Sequence, residues 1–232
     1  MREADRRTIE SLPYFQGLST QDLDRLLEGS LVQSFAAETI LIEQGERPEF
    51  LHVVLGGRVG LLGEGADGRE TVVEFMETGE SFILAAVLTD APYLMSARVL
   101  TDARILLLSA ARLRERVAAD PALAVKMLAS LARNFRMLVR QVKDLKLRTT
   151  HQRLGCYLLA LADGQGGGPV DVELPVDKRL IAARLGMTPE SLSRAFATLR
   201  PLGVMTSGQH VVIADVETLV RHCLPDSALL HD

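Results

Sequence analysis

A long amphipathic helix in the middle of the chain sets its architecture. Asp120 and Pro121 supply a helix N-cap and a first-turn proline, and the next proline is Pro169. Between them, apolar residues recur alternately four and three positions apart: Ala124, Leu128, Leu131, Phe135, Leu138, Val142 and Leu145. Such a period over about three heptads is typical of a helix that pairs with another helix. We therefore predict that this heptad seam forms a dimer interface from Leu128 to Leu145; packing against the helix's own domain is the alternative.

The segment before this helix has a β-rich pattern. Short apolar runs separated by glycine-containing turns extend from Leu31 to Leu108. Many short strands with glycine turns favour a sandwich or a roll.

Composition narrows the class of protein. Of the 232 residues, 47% are hydrophobic and 24% charged, which is typical of a globular protein. No apolar run approaches the ~20 residues of a membrane span, and the N-terminus lacks the apolar core of a signal peptide. We therefore expect a cytoplasmic protein with no membrane partner. The two cysteines, Cys156 and Cys223, are far apart in sequence and indicate neither a disulfide framework nor a CxxC metal site.

The segment from Lys178 to Ala197 predicts a helix-turn-helix. Asp177 can cap a first helix, Gly186 can end it, and Thr188-Pro189 can start a second helix. In the second helix, one face carries apolar side chains at the spacing of a buried stripe: Leu192, Ala195, Phe196 and Leu199. The alternative is an ordinary helical hairpin with solvated charges.

Local charge supports contact with a nucleic acid. The net charge of the chain is -4, so a globally basic surface is absent. From Lys178 to Arg200, however, five basic residues stand against one acidic residue, Glu190. A local excess of positive charge suits a phosphate backbone, and a hairpin expected near 206–215 could serve as a wing.

These parts, in this order, resemble the Crp/Fnr family of bacterial transcription regulators over essentially the whole chain. The motifs that carry the resemblance are GERPEFLHVVLGGRV at 45–59, GES at 79–81, the long helix, and LGMTPESLSRAFATL at 185–199. The resemblance implies an α+β fold: an N-terminal cyclic-nucleotide-binding-type β-roll that senses an effector (1–119), a dimerisation helix (120–148) and a C-terminal winged helix-turn-helix (149–232). The implied partners are double-stranded DNA, a second copy of the chain and, for an activator, RNA polymerase.

The second helix of the motif suggests how DNA would be read. Glu190, Ser193 and Arg194 form an E-x-x-S-R pattern, which is similar to Fnr-type proteins that read TTGAT-like half-sites. Arginine suits guanine O6 and N7, and glutamate accepts from cytosine N4. We expect Thr188, Lys178 and Arg179 to hold the phosphate backbone.

The sequence at the expected effector site differs from that of the cyclic-AMP-binding members of the family. Those members carry a glutamate soon after the Gly-Glu pair that corresponds to Gly79-Glu80 here, and an R-S/T-A triplet further on. In this chain Leu84 stands near the position of the glutamate, and Met95, which precedes Ser96, stands where the arginine of the triplet belongs. A cyclic phosphate needs a cation there, so we expect no cyclic AMP binding. An iron–sulfur cluster is also not expected, because two cysteines cannot supply about four ligands.

With cyclic AMP and an iron–sulfur cluster not expected, the chain resembles the nitrogen-oxide-responsive branch of the family, some members of which use haem. An effector pocket lined by Leu84, Val87, Met95 and Ser96 could hold a haem, with His52 and Met95 as axial ligands, or another hydrophobic ligand. The alternative is that His52 and Met95 are ordinary strand and core residues.

Other function classes are also open at this point. A cyclic-nucleotide-responsive regulator and a regulatory module that does not bind DNA are the alternatives. A cupin-like metal oxygenase would need clustered ligands, but the predicted roll holds one histidine, His52, so we expect no enzyme.

Overall fold

The structure is a computed structural model that describes residues 2–12, 15, 18–65, 68, 70–162 and 168–225. It divides into two compact units, Met1–Met137 and Leu138–Asp232, and the long central helix runs from one into the other. The predicted α+β class is confirmed. Of the helices in the described residues, none is long and apolar enough to cross a membrane.

The N-terminal unit is built on an antiparallel sheet of six strands. Its strand order is β1-β6-β3-β4, with β2 paired to β6 and β5 paired to β3. The strands are β1 Leu31–Phe35, β2 Ile40–Ile42, β3 Phe50–Glu64, β4 Glu70–Met76, β5 Ser81–Phe82 and β6 Ser96–Ser109. Gly57 lies where β3 and β6 pair out of regular register; it has a φ of +80°, and a Cβ there would overlap the Asp102 carbonyl oxygen.

Helices cover one side of this sheet. They are α1 Glu3–Ser11, α2 Thr20–Leu27, α3 Leu84–Thr89, α4 Ala110–Ala119 and the first part of α5, Pro121–Leu147. Their apolar faces form what we call the helix-side cluster, which includes Ile9, Leu23, Leu84, Val87, Leu106, Leu113, Leu123 and Met127. The strand-side cluster lies on the other side of the strands and includes Val54, Val59, Phe82, Ala97, Val99, Ile105 and Leu107. The alternation of Ile105, Leu106 and Leu107 between the clusters follows from the two-residue period of a strand.

The long helix begins where the sequence predicts. The Asp120 carboxylate accepts hydrogen bonds from the backbone N–H groups of Ala122 (2.9 Å) and Leu123 (3.2 Å), which caps α5. One face of α5 is buried through Leu123, Met127 and Ser130. Along the heptad seam, Leu131 is half-buried, whereas the remaining large side chains are exposed: Leu128, Phe135, Leu138, Val142 and Leu145. The helix therefore presents a second apolar face to solvent in the single chain.

The C-terminal unit packs helices on a small antiparallel sheet of strand order β7-β9-β8. Its elements after α5 are α6 Thr150–Leu161, β7 Val170–Glu173, α7 Lys178–Arg184, α8 Pro189–Leu199, a 3-10 turn Arg200–Leu202, β8 Val204–Ser207, β9 His210–Ile213 and α9 Val216–Cys223. Helix α6 packs against both α8 and α9. One face of α8 thus packs against α6, and its other face is left to solvent.

Candidate nucleic-acid interface

Helices α7 and α8 form the predicted helix-turn-helix. The Asp177 carboxylate accepts from the Leu180 N–H at 2.8 Å and caps α7, and the Thr188 hydroxyl accepts from the Ser191 N–H at 3.2 Å and caps α8. Between them Gly186 has a φ of +64°, which disfavours any residue with a side chain. A Cβ at Gly186 would also lie 2.6 Å from Leu145 Cδ2. The turn is therefore fixed by local chemistry and by the end of α5.

The two faces of α8 differ as the spacing predicts. Leu192, Ala195, Phe196 and Leu199 are buried. Glu190, Ser193, Arg194 and Ala197 are exposed. Glu190 and Arg194, which the sequence predicts to read bases, therefore share one solvent-facing surface of α8 with Ser193, which is predicted to contact a base or a phosphate.

Hydrogen bonds at the start of α8 hold these side chains in place. Arg194 Nη2 donates to Ser191 Oγ at 3.1 Å, and Ser191 Oγ lies 3.2 Å from Thr188 Oγ1. A backbone hydrogen bond, the Thr188 hydroxyl and the Arg194 charge lower the pKa of Glu190. Glu190 is consequently ionised at neutral pH and acts only as an acceptor. Ser191 was missed at the level of sequence, although its position three residues before Arg194 on a helix is a signal for such contact.

Basic side chains border the exposed face of α8. Lys178 Nζ lies 2.6 Å from Thr206 Oγ1 of β8 and 5.2 Å from the centre of the Phe196 ring. These contacts tie α7, α8 and β8 together around a cleft of about 260 Å³ that is also lined by Arg179 and Ser193. Thr206 is a further residue that sequence reasoning missed, because its neighbourhood depends on how the β8–β9 hairpin packs.

The cations of this surface are available to a ligand. Across the described residues, Lys178, Arg179, Arg194 and Arg200 form no ion pair with a carboxylate. The β8–β9 hairpin beside them exposes Thr206, Ser207 and His210. A polar helix face flanked by unpaired cations and a hairpin has the chemistry and the shape of a surface that binds double-stranded DNA.

The residues predicted for the effector pocket pack in two apolar clusters. Leu84 and Val87 of α3 are fully buried in the helix-side cluster. Met95 packs against the strand-side cluster, and the Ser96 hydroxyl accepts a hydrogen bond from the Gln44 N–H at 3.1 Å. Leu84 and Val87 therefore pack in a different cluster from Met95, although their neighbours Ile83 and Ala86 pack against the same cluster as Met95; the effector pocket stays a prediction.

His52 is a buried strand residue that packs on an aromatic ring. It pairs with Phe82 across β3 and β5, and the two rings stack with their centres 5.2 Å apart. Burial lowers the pKa of His52 to about 4, and a backbone hydrogen bond with Phe50 opposes this only in part. The imidazole is thus neutral, and its Nδ1 is buried without a hydrogen-bond partner within the described residues.

These residues do not fit a haem. Of the proposed lining, Leu84 and Val87 are committed to the helix-side cluster, and His52 is covered by Phe82. A haem with His52 as its axial ligand would have to displace the Phe82 ring and open the packing around Leu84 and Val87.

The arginines of the two long strands, β3 and β6, form ion pairs with carboxylates. Arg58 pairs with Glu77 at 3.1 Å, Arg98 with Glu70 at 2.5 Å and Arg104 with Asp5 at 2.6 Å. A cyclic phosphate that entered between the strands would have to displace one of these carboxylates to obtain a charge-assisted hydrogen bond.

A β-rich domain, a long helix with an exposed apolar seam and a winged helix-turn-helix together define a DNA-binding transcription regulator. The chain matches the cyclic nucleotide-binding domain over residues 32–120 and the Crp-like helix-turn-helix domain over residues 152–222. It belongs to the Crp/Fnr family of transcription regulators.

Similar proteins match over most of their length. A CRP-like cAMP-activated global transcriptional regulator of Mycobacterium tuberculosis is 26% identical over 89% of this chain and 94% of its own. The nitrogen fixation regulation protein FixK of Azorhizobium caulinodans is 29% identical over 81% of this chain and 77% of its own. A crystal structure from Ruegeria pomeroyi, described as a candidate cyclic nucleotide binding protein, is 34% identical over 97% of this chain and 99% of its own, with a TM-score of 0.64.

Proposed function

We propose that two copies of this chain pair through the heptad seam of α5 and bind a palindromic DNA site. The observation that carries the proposal is the exposed face of α8, on which Glu190, Ser193 and Arg194 stand beside the unpaired cations Lys178 and Arg179. Arg194 would donate to guanine O6 and N7, and ionised Glu190 would accept from cytosine N4. Lys178, Arg179 and Thr188 would hold the backbone and fix the register of the helix.

The exposed seam supports the proposed pairing of two chains. Leu128, Phe135 and Leu138 are each at least half exposed in the single chain. A row of large apolar side chains at heptad spacing is stabilised when a second identical helix covers it. A dimer would present two copies of α8 to half-sites about 34 Å apart.

The E-x-x-S-R pattern favours TTGAT-like half-sites. Selection of bound sequences from random DNA by the full-length protein tests this proposal directly. We expect an inverted repeat whose halves contain the TTGAT core. A non-palindromic motif, or no enrichment at all, would contradict it.

We further propose that the N-terminal unit responds to an effector other than cyclic AMP. The positions of the expected carboxylate and cation hold Leu84 and Met95, and Leu84 is fully buried. The strand arginines are already paired with carboxylates. Since the first part of α5 packs on this unit and its last part belongs to the C-terminal unit, an effector that binds unequally to two arrangements of α5 would change DNA affinity.

A further inference from the structure

Folding brings the two cysteines of the C-terminal unit together. Cys156 lies on α6 and Cys223 ends α9, and the Cys156 thiol faces the Cys223 carbonyl oxygen at 3.8 Å. The residue before Cys156 is Gly155, where a Cβ would overlap the Sγ atom of Cys223. The Cys223 thiol therefore occupies the notch that Gly155 leaves in α6, directly beside Cys156.

The two thiols have different surroundings. Cys223 is fully buried, whereas Cys156 is partly exposed. Arg148 donates hydrogen bonds to the carbonyl oxygens of Cys223 (2.5 Å) and Leu224 (2.9 Å), which places its positive charge at the pair. A partly exposed cysteine near a guanidinium, with a second thiol behind it, is the arrangement of a redox-sensitive cysteine and its resolving partner. The guanidinium of Arg148 also pairs with Asp144 at 2.6 Å.

Electrostatics agree with this assignment of roles. A hydrogen bond from Cys223 and the charge of Arg148 lower the pKa of Cys156, against the opposing effects of burial and Asp144. The hydrogen bond to Cys156 and burial raise the pKa of Cys223. Cys156 is thus the thiol that ionises first, and the thiolate is the reactive form.

We propose that Cys156 and Cys223 are a peroxide-sensitive thiol pair that closes to an intramolecular disulfide. The Cys156 thiolate attacks one peroxide oxygen, the O–O bond breaks, and the departing hydroxide takes up a proton to become water. The resulting sulfenic acid is attacked by the Cys223 sulfur; the S–S bond forms, the S–O bond breaks, and a second water leaves with the Cys223 proton. Two thiols are oxidised by two electrons and one peroxide is reduced to two waters; two equivalents of a small cellular thiol reverse the change.

A metal site does not account for the same cluster. His151 and His222 lie nearby, with ring centres 5.2 Å apart. Nevertheless, the described residues contain no group of three or more histidine, cysteine or acidic side chains that could hold a metal ion.

The test uses the full-length reduced protein and hydrogen peroxide. After treatment, the protein is unfolded, free thiols are alkylated, and trypsin releases peptides 154–178 and 222–232, each with one cysteine. We expect these two peptides to be joined, with a mass two hydrogens below their sum, and to separate on reduction. A non-reducing gel should show a single chain.

Two variants separate the roles of the thiols. In Cys223→Ser, Cys156 should stop at the sulfenic acid, which dimedone traps. In Cys156→Ser, the buried Cys223 should remain a free thiol at the same peroxide dose. Both are small changes, and circular dichroism is the check that each variant is folded. The proposal is overturned if wild-type protein accumulates the dimedone adduct to the level of Cys223→Ser, or if the disulfide joins two chains.

Discussion

At the residue scale, Arg194 provides the most direct test of how the protein recognises a DNA sequence. Its side chain is exposed on α8 and held by Ser191, so it is available to a guanine without first breaking an ion pair. We expect Arg194→Ala to cost about 1–3 kcal/mol per half-site and to relax the preference for guanine. Fluorescence anisotropy with the selected site and with guanine-substituted sites measures both effects.

Arg179→Ala is the matched control for this prediction. Arg179 lies on the rim of the same cleft but is expected to contact phosphate. Its loss should weaken binding equally for all sequences and reduce the salt dependence by about one ion. Equal base selectivity in wild type and Arg194→Ala would assign base reading to other residues.

His52 makes the stability of the N-terminal unit depend on pH. Its pKa is about 4 in the folded protein and 6.5 as the ordinary value, so the unfolded chain binds the proton more readily. The contribution of neutral His52 is therefore complete above pH 6.5 and declines as pH falls from 6.5 towards 4. Between pH 7 and pH 5 the loss should be about 2 kcal/mol.

The variant His52→Leu isolates this effect. Because it removes the titrating group, its free energy of unfolding should fall less between pH 7 and pH 5 than that of wild type, by the same ~2 kcal/mol. Urea denaturation at the two pH values measures the difference. The same pH dependence in both proteins would show that His52 is not desolvated in solution.

At the scale of a single element, α5 has two apolar faces with different partners. Leu123 and Met127 are buried against the N-terminal unit, whereas Leu138 is half exposed. In a dimer, Leu138→Glu would bury a charge without a partner, at a cost on the order of several kcal/mol. We expect this variant to sediment as a monomer and to lose DNA binding.

Ala129→Glu is the control on the same helix. Ala129 is exposed and lies off the heptad seam, so its replacement should leave both the sedimentation coefficient and DNA affinity close to those of wild type. An intact dimer in Leu138→Glu would instead place the interface elsewhere.

At the scale of the whole molecule, the choice of effector separates two kinds of regulator within one family. The relative from Mycobacterium tuberculosis is cAMP-activated. This chain instead has Met95 near the expected cation position, and its strand arginines are paired with carboxylates. Calorimetry should therefore detect no micromolar binding of cyclic AMP, and added cyclic AMP should not change DNA affinity. Micromolar binding that also tightens DNA binding would make the chain a cyclic-nucleotide-responsive regulator.

The sequence alone determined the elements whose cause is local. Caps at Asp120, Asp177 and Thr188 and the glycine at Gly186 identified where α5, α7 and α8 begin or end, because these signals act within a few residues. The faces of α8 followed from helical spacing in the same way. The order of the domains was predicted from the family resemblance, which joins these local patterns into one architecture.

Only the tertiary structure decided which distant residues meet. Strand register and helix packing placed Leu84 and Met95 in different apolar clusters, joined Lys178 to Thr206, and brought Cys156 against Cys223 across 67 positions of sequence. Periodicity shows which face of an element is buried but not what lies opposite to it. The surface for DNA was therefore predictable, whereas the effector pocket stays a prediction and the thiol pair was not predicted at all.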